Sequence, residues 1–167
     1  NPGNPTGAVY TKDELKMLVD IAIEKNLYLI SDEVYREFIY DGLSFTSMLE
    51  FKEVEDRVIL IDSISKRYSA CGARIGALIS KNQSLIENAL KLSQSRLCPP
   101  TIEQVAAASL INTPESYFSE VKSEYENRRN ILFNNLSKVP GIICKKPSGA
   151  FYLIAKLPIE DAEKFAV

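Results

Sequence analysis

Arg57-Val58-Ile59-Leu60-Ile61, followed by Asp62-Ser63-Ile64-Ser65-Lys66-Arg67-Tyr68-Ser69-Ala70-Cys71-Gly72-Ala73-Arg74 and then Ile75-Gly76-Ala77-Leu78-Ile79, is the stretch that decides the fold. Two short apolar runs flank a connection made of Ser, Lys, Cys and Gly rather than of helix-patterned residues. A parallel crossover needs a dozen or more residues, usually including a helix. The third strand is therefore expected to run antiparallel to the second. Upstream, Leu27-Tyr28-Leu29-Ile30 reads as a further strand ending at Ser31-Asp32-Glu33-Val34-Tyr35. Near-continuous apolar strands suit a sheet covered on both faces. The prediction is an α/β fold with three αβα layers and a partial, mostly parallel sheet carrying one antiparallel strand.

Outward from that centre, Asn1 to Gly7 forms a turn, since Pro fixes φ, Gly permits positive φ and Asn caps its own backbone. Thr11 with Glu14 is a capping box that opens a helix to about Lys25. Leu15, Leu18, Val19, Ala22 and Ile23 give it an apolar stripe, and Asn26 stops it. Helices are expected from Gln83 to Leu97, broken by Pro99-Pro100, then from Thr101 to Leu110, and from Pro114 to Leu136 with Pro114 in the first turn. Ile142 to Cys144 and Ala150 to Ala155 read as two strands. Composition changes near Asn112 to Glu115, which divides the chain into residues 1–113 and 114–167.

The sequence holds no histidine, which excludes a histidine base, a histidine-containing triad and a histidine-ligated metal from this chain. Proton transfer falls to Lys, Asp, Glu, Tyr or Cys. Cys71, Cys98 and Cys144 lie outside any CxxC spacing, so no thiolate metal site or disulfide framework is expected, and a reducing, cytoplasmic setting fits. A net charge of -2 gives no reason to expect nucleic acid. No apolar run is long enough for a membrane helix. The chain opens on Asn-Pro-Gly-Asn-Pro-Thr-Gly and stops in what reads as the first turns of a helix, so it is expected to be a piece of a longer protein.

In order along the chain stand Asn4-Pro5-Thr6-Gly7, Asp32-Glu33-Val34-Tyr35, and Ser63-Ile64-Ser65-Lys66 with Gly72, Arg74 and Gly76. Lys66 precedes Arg74 by eight residues, and Lys145-Lys146-Pro147-Ser148-Gly149-Ala150-Phe151-Tyr152 follows later. This ordered set resembles the class I and II aminotransferases, pyridoxal-phosphate enzymes of fold type I. The Leu97-Cys98-Pro99-Pro100-Thr101 and Lys146 to Tyr152 segments look most like the aspartate type.

The resemblance implies that residues 1–113 are the C-terminal part of the large cofactor-binding domain. Residues 114–167 would be an interdomain helix and the start of a small α+β domain. It implies pyridoxal 5'-phosphate, with Lys66 as its Schiff-base lysine and proton carrier, a role suited to a desolvated amine. Asp32 would pair with the pyridine nitrogen, although by position alone it reads as a turn aspartate. Tyr35 would bond the phenolic oxygen, and Asn4 that same oxygen and the substrate carboxylate. Ser63 and Arg74 would bind the phosphate, Arg74 through its planar fork. Ser65 should point the other way if Ser63 to Ser65 stays extended. Tyr68 would line the site or a dimer contact, and Arg128-Arg129 reads as a solvated helix face.

Amino acid and 2-oxo acid substrates and a homodimer follow from the same resemblance. It also puts the phosphate loop, the ring-stacking aromatic and the carboxylate-binding arginine outside these residues, so the chain alone is expected to be a poor transaminase. Alternatives on this fold are a β-elimination lyase and a non-enzymatic regulator domain.

Overall fold

The computed structural model describes residues 1–166. Helix α1, Lys12–Glu24, begins as its capping box requires: the Thr11 hydroxyl accepts from the Glu14 amide, and Glu14 accepts from the Thr11 amide at 2.7 Å. Lys25 caps the other end, and Asn26 follows at φ 54°, a conformation that Asn tolerates and that turns the chain out of the helix.

Strand β1, Leu29–Asp32, pairs parallel with β2, Val58–Ser63, and β2 pairs antiparallel with β3, Gly76–Ile79. The strand order is β1-β2-β3. The short connection thus reverses direction as expected. It also contains a single helical turn, α2, Ile64–Arg67, which the sequence pattern does not announce.

Leu15 and Val19 of α1 pack with Met48, Phe51, Val54, Val58 and Leu60 into one core. Each fully buried Val contributes roughly 1.5–3 kcal/mol by leaving water. Leu18 and Ile23, expected in the same stripe, are exposed in this chain, where the 3-10 turns at Met48–Glu50 and Lys52–Val54 pack only against the Leu15 and Val19 face. Residues 1–166 cover one face of β1 and β2, while every residue of β3 is exposed. On the other face, Ile30 is 74% exposed.

Further along, α3 (Gln83–Arg96), α4 (Thr101–Ala108) and α5 (Glu115–Leu136) match the expected helices, with Pro114 at the N-cap rather than inside the first turn. The last elements are β4 (Ile143–Cys144), β5 (Ala155–Lys156), antiparallel to each other, and α6 (Ala162–Ala166). The second late strand therefore sits at 155–156 instead of 150–155. Residues 148–150 do different work: the Tyr40 amide donates to the Ser148 carbonyl at 3.0 Å and the Ala150 amide to the Phe38 carbonyl at 2.9 Å. A second core results, in which Tyr35, Phe38, Tyr40 and Ala150 pack with Val121, Tyr125, Phe151 and Tyr152.

Candidate active site

The two parallel strands end side by side, with Asp32 opposite Ile61, so the residues that follow them collect at one end of the sheet. That end is where open α/β sheets bind ligands. After β1 the chain turns through Val34, whose amide donates to Asp32 Oδ1 at 3.1 Å, and delivers Tyr35. After β2 it turns into α2, which carries Lys66. Lys66 Nζ lies 6.0 Å from the Tyr35 ring centroid and 4.0 Å from Cys71 Sγ. Among the described residues it has no carboxylate partner.

Tyr35 is the meeting point. Its hydroxyl is 2.6 Å from that of Tyr152, and its ring stands edge-on to Phe151 and Tyr152. Burial, then the bond to Tyr152, pushes its pKa well above the ordinary tyrosine range, while a hydrogen bond with the Asn4 side chain pulls the other way and the Asp32 charge adds to the rise. Asn4, Asp32, Lys66 and Tyr35 are thus brought together. Asp32 is itself exposed in this chain rather than buried.

Ser63, Ser65 and Arg74 form a second group one helical turn away, lining a cleft of about 310 Å³ between the end of β2 and the start of β3. The Ser63 and Ser65 hydroxyls are 2.8 Å apart, which corrects the expected opposition. The reason is local: Ser63 is the N-cap of α2, its Oγ accepting from the Ser65 amide at 3.0 Å, so the chain is helical by Ser65 instead of extended. Arg74 takes a left-handed conformation at φ 55° and donates to the Cys71 carbonyl at 3.0 Å. It is exposed and, among the described residues, forms no ion pair.

Three features escaped the sequence reading. Asp62 receives Arg36 at 2.9 Å and Arg67 at 3.0 Å, with Glu37 beyond at 3.1 Å from Arg67, which anchors both sides of the Lys66 turn. Tyr152 belongs to a segment of the resemblance, but its pairing with the Tyr35 hydroxyl, 117 residues away, is announced by nothing local. Arg129, read as solvated, is buried; it grips Asp41, donates to the Pro147 carbonyl at 2.9 Å and lies 4.6 Å over the Tyr40 ring. Arg128 is the solvated one, paired with Glu124. Tyr68 packs edge-on against Phe118 of α5.

Residues 1–167 match the family model for aminotransferase class I and II over their whole length. The chain belongs to the class I and II aminotransferase family. This aminotransferase chain is 37% identical over 166 residues to an aspartate aminotransferase of Bacillus sp. (strain YM-2), covering 98% of the chain and 42% of that relative. It is 35% identical to aromatic-amino-acid aminotransferase 2 of Thermococcus litoralis, covering 93% of the chain and 40% of the relative. A solved aspartate aminotransferase from Thermotoga maritima superposes with a TM-score of 0.85 at 35% identity, over 98% of this chain and 42% of that one. N-succinyldiaminopimelate aminotransferase from Mycobacterium tuberculosis gives 0.90 at 27% identity, over 99% and 44%. The aminotransferase chain thus spans about two fifths of the length of the relatives it matches.

The residues present fit pyridoxal phosphate. A guanidinium without a carboxylate partner among the described residues and two hydroxyls share one cleft, which is the donor set for a phosphate dianion. An amine, a phenol, an amide and a carboxylate gather one turn away. Among the described residues no His, Cys, Asp or Glu cluster has the makings of a metal site, and no helix is long and apolar enough to cross a membrane.

Proposed function

We propose that this chain is the lysine-bearing part of a pyridoxal-phosphate-dependent aminotransferase that moves an α-amino group between an amino acid and a 2-oxo acid. The observation that carries the reading is Lys66, 6.0 Å from the ring of Tyr35 and without a carboxylate partner among the described residues, with Arg74 and two serines at the other end of its turn. When bound, pyridoxal phosphate supplies an electron sink for the charge left on an amino acid's α-carbon when its proton departs.

The protein's own residues divide the remaining work. Lys66 would be the attachment point, and its amine, once free, would take the proton from the amino acid's α-carbon and give it back at the carbon that keeps the amino group. Arg74, with Ser63 and Ser65, fixes the phosphate by charge-assisted hydrogen bonds. Asp32 would favour a protonated pyridine nitrogen by its charge. The Tyr35 hydroxyl and the Asn4 amide offer hydrogen bonds to the ring oxygen, and Asn4 also to the substrate carboxylate.

Two domains, divided near residue 113, a homodimeric assembly and a cytoplasmic setting belong to the same proposal, the last supported by three unpaired cysteines. The test is a full-length preparation loaded with pyridoxal phosphate and mixed with acidic and aromatic amino acids, the two kinds named among its relatives. Bleaching of the visible band with one 2-oxo acid formed per site is the expected result. Elimination products, or a band that no amino acid disturbs, would overturn it.

A further inference from the structure

Tyr152 carries no step of the proposed chemistry, yet its hydroxyl makes a 2.6 Å contact with that of Tyr35. Its position is not accidental to one flexible side chain. The preceding residues are pinned on two sides, since the Ser148 and Gly149 amides both donate to the Gly7 carbonyl at 2.9 Å and the Ala150 amide donates to Phe38. The Tyr40 hydroxyl adds a 2.6 Å bond to the Ala150 carbonyl. Phe151 then fills the space among Tyr35, Phe38 and Tyr125, at centroid distances of 5.2, 5.1 and 5.0 Å. Tyr152 leaves a fixed frame that also holds the turn of Asn4.

Two phenols at this distance share one hydrogen bond, so only one of the two protons is left to point elsewhere. We infer that Tyr152 is a positioning residue for Tyr35, its hydroxyl holding the Tyr35 phenol oxygen at a fixed place at the edge of the site. This rests on the reading of Tyr35 as the partner of the cofactor's ring oxygen. The other ionisable groups that face Tyr35 are Asp32, at the end of β1, and Lys66, on α2. Each comes from a different element from Tyr152, so each can be varied without touching the phenol pair.

Tyr152→Phe in the full-length protein removes the hydroxyl and keeps the ring that stands edge-on to Tyr35. In cofactor-free protein labelled with ζ-13C tyrosine, and with the Tyr35 signal assigned by its loss in Tyr35→Phe, the Tyr35 titration midpoint is expected to fall by roughly half a pH unit or more. The fall follows because a bond that stabilises the protonated phenol is gone. In the loaded protein, the midpoint of the pH titration of the visible band should move in the same direction as in Tyr35→Phe, but by less. The double variant should shift no further than Tyr35→Phe alone.

An unmoved Tyr35 midpoint, or a visible band in Tyr152→Phe that titrates as the parent does or shifts the opposite way, overturns the inference. A visible band that Tyr35→Phe leaves unmoved overturns instead the reading of Tyr35, and the cofactor-free titration still decides whether Tyr152 holds the phenol.

Discussion

Arg129 holds Asp41 with both terminal nitrogens, at 2.8 and 2.9 Å, across 88 residues of sequence. The guanidinium is 4% exposed and the carboxylate 44%, so the arginine is the buried partner and the aspartate its link to solvent. Because Arg129 also donates to the Pro147 carbonyl, the pair fastens α5, the turn after Tyr40 and the segment that leads to Tyr152 into one unit.

Removing that arginine strands the Pro147 carbonyl and loosens the second core. Arg129→Met should lower stability by about 2–3 kcal/mol, toward the low side for a buried pair because Asp41 regains water. Arg129→Lys should recover little, since an ammonium cannot make the forked contact and lacks the plane that lies on Tyr40. Urea unfolding of the three proteins checks both statements.

Acid should act through the same pair. Arg129 holds the Asp41 carboxyl below its ordinary value of 3.8, with Lys146 adding to the effect. A carboxylate depressed in the folded state contributes stability above its unfolded pKa and loses it as pH falls through the folded one. The stability gap between the parent and Asp41→Asn should therefore be constant above pH 3.8 in this respect and close progressively below it. Unfolding midpoints measured across that range test the sign.

Gly7 sits at φ 65°, and a Cβ there would lie 2.9 Å from the Gly149 carbonyl and closer still to Pro147. Gly7→Ala combines a left-handed penalty with overpacking, a loss of about 2–4 kcal/mol. Because Gly7 accepts from both Ser148 and Gly149, the same change should weaken cofactor binding through Asn4 and Tyr152. Thermal unfolding, together with a titration with pyridoxal phosphate, reads both effects.

Much of this was legible because it is local or directional. The capping box of Thr11 and Glu14, the connection too poor in helix pattern for a parallel crossover, and the motif around Lys66 each act within a few residues. The errors have an equally physical source. Ser65 was expected to oppose Ser63 because a helical turn as short as Ile64–Arg67 is too brief to leave a periodic signal. Arg129 looked solvated because periodicity places it on a polar helix, while Asp41 and Tyr40, which bury it, come from far along the chain. The partner of Tyr152 is hidden in the same way: Ser148 to Tyr152 reads as a turn and a strand of the resemblance, and only the fold brings the Tyr152 hydroxyl to Tyr35.

Glu33 offers a check on the first core. It is 1% exposed, and Oε1 accepts from Ser31 Oγ, Ser47 Oγ and the Met48 amide, each at 3.0 Å, tying β1 to the turn beneath α1. Glu33→Ala leaves those buried donors without an acceptor and should cost about 2–3 kcal/mol, whereas Glu33→Gln, which retains an acceptor oxygen, should lose less. Denaturant midpoints of the two variants give the comparison.

The central claim is that Lys66 is the attachment point for the cofactor. The full-length protein should be incubated with pyridoxal phosphate, reduced with borohydride, digested and mapped by mass spectrometry. The expected result is a pyridoxyl group on the peptide that contains Lys66, absent from Lys66→Ala together with the visible band. A label on another lysine, or an undiminished label in Lys66→Ala, would contradict the account.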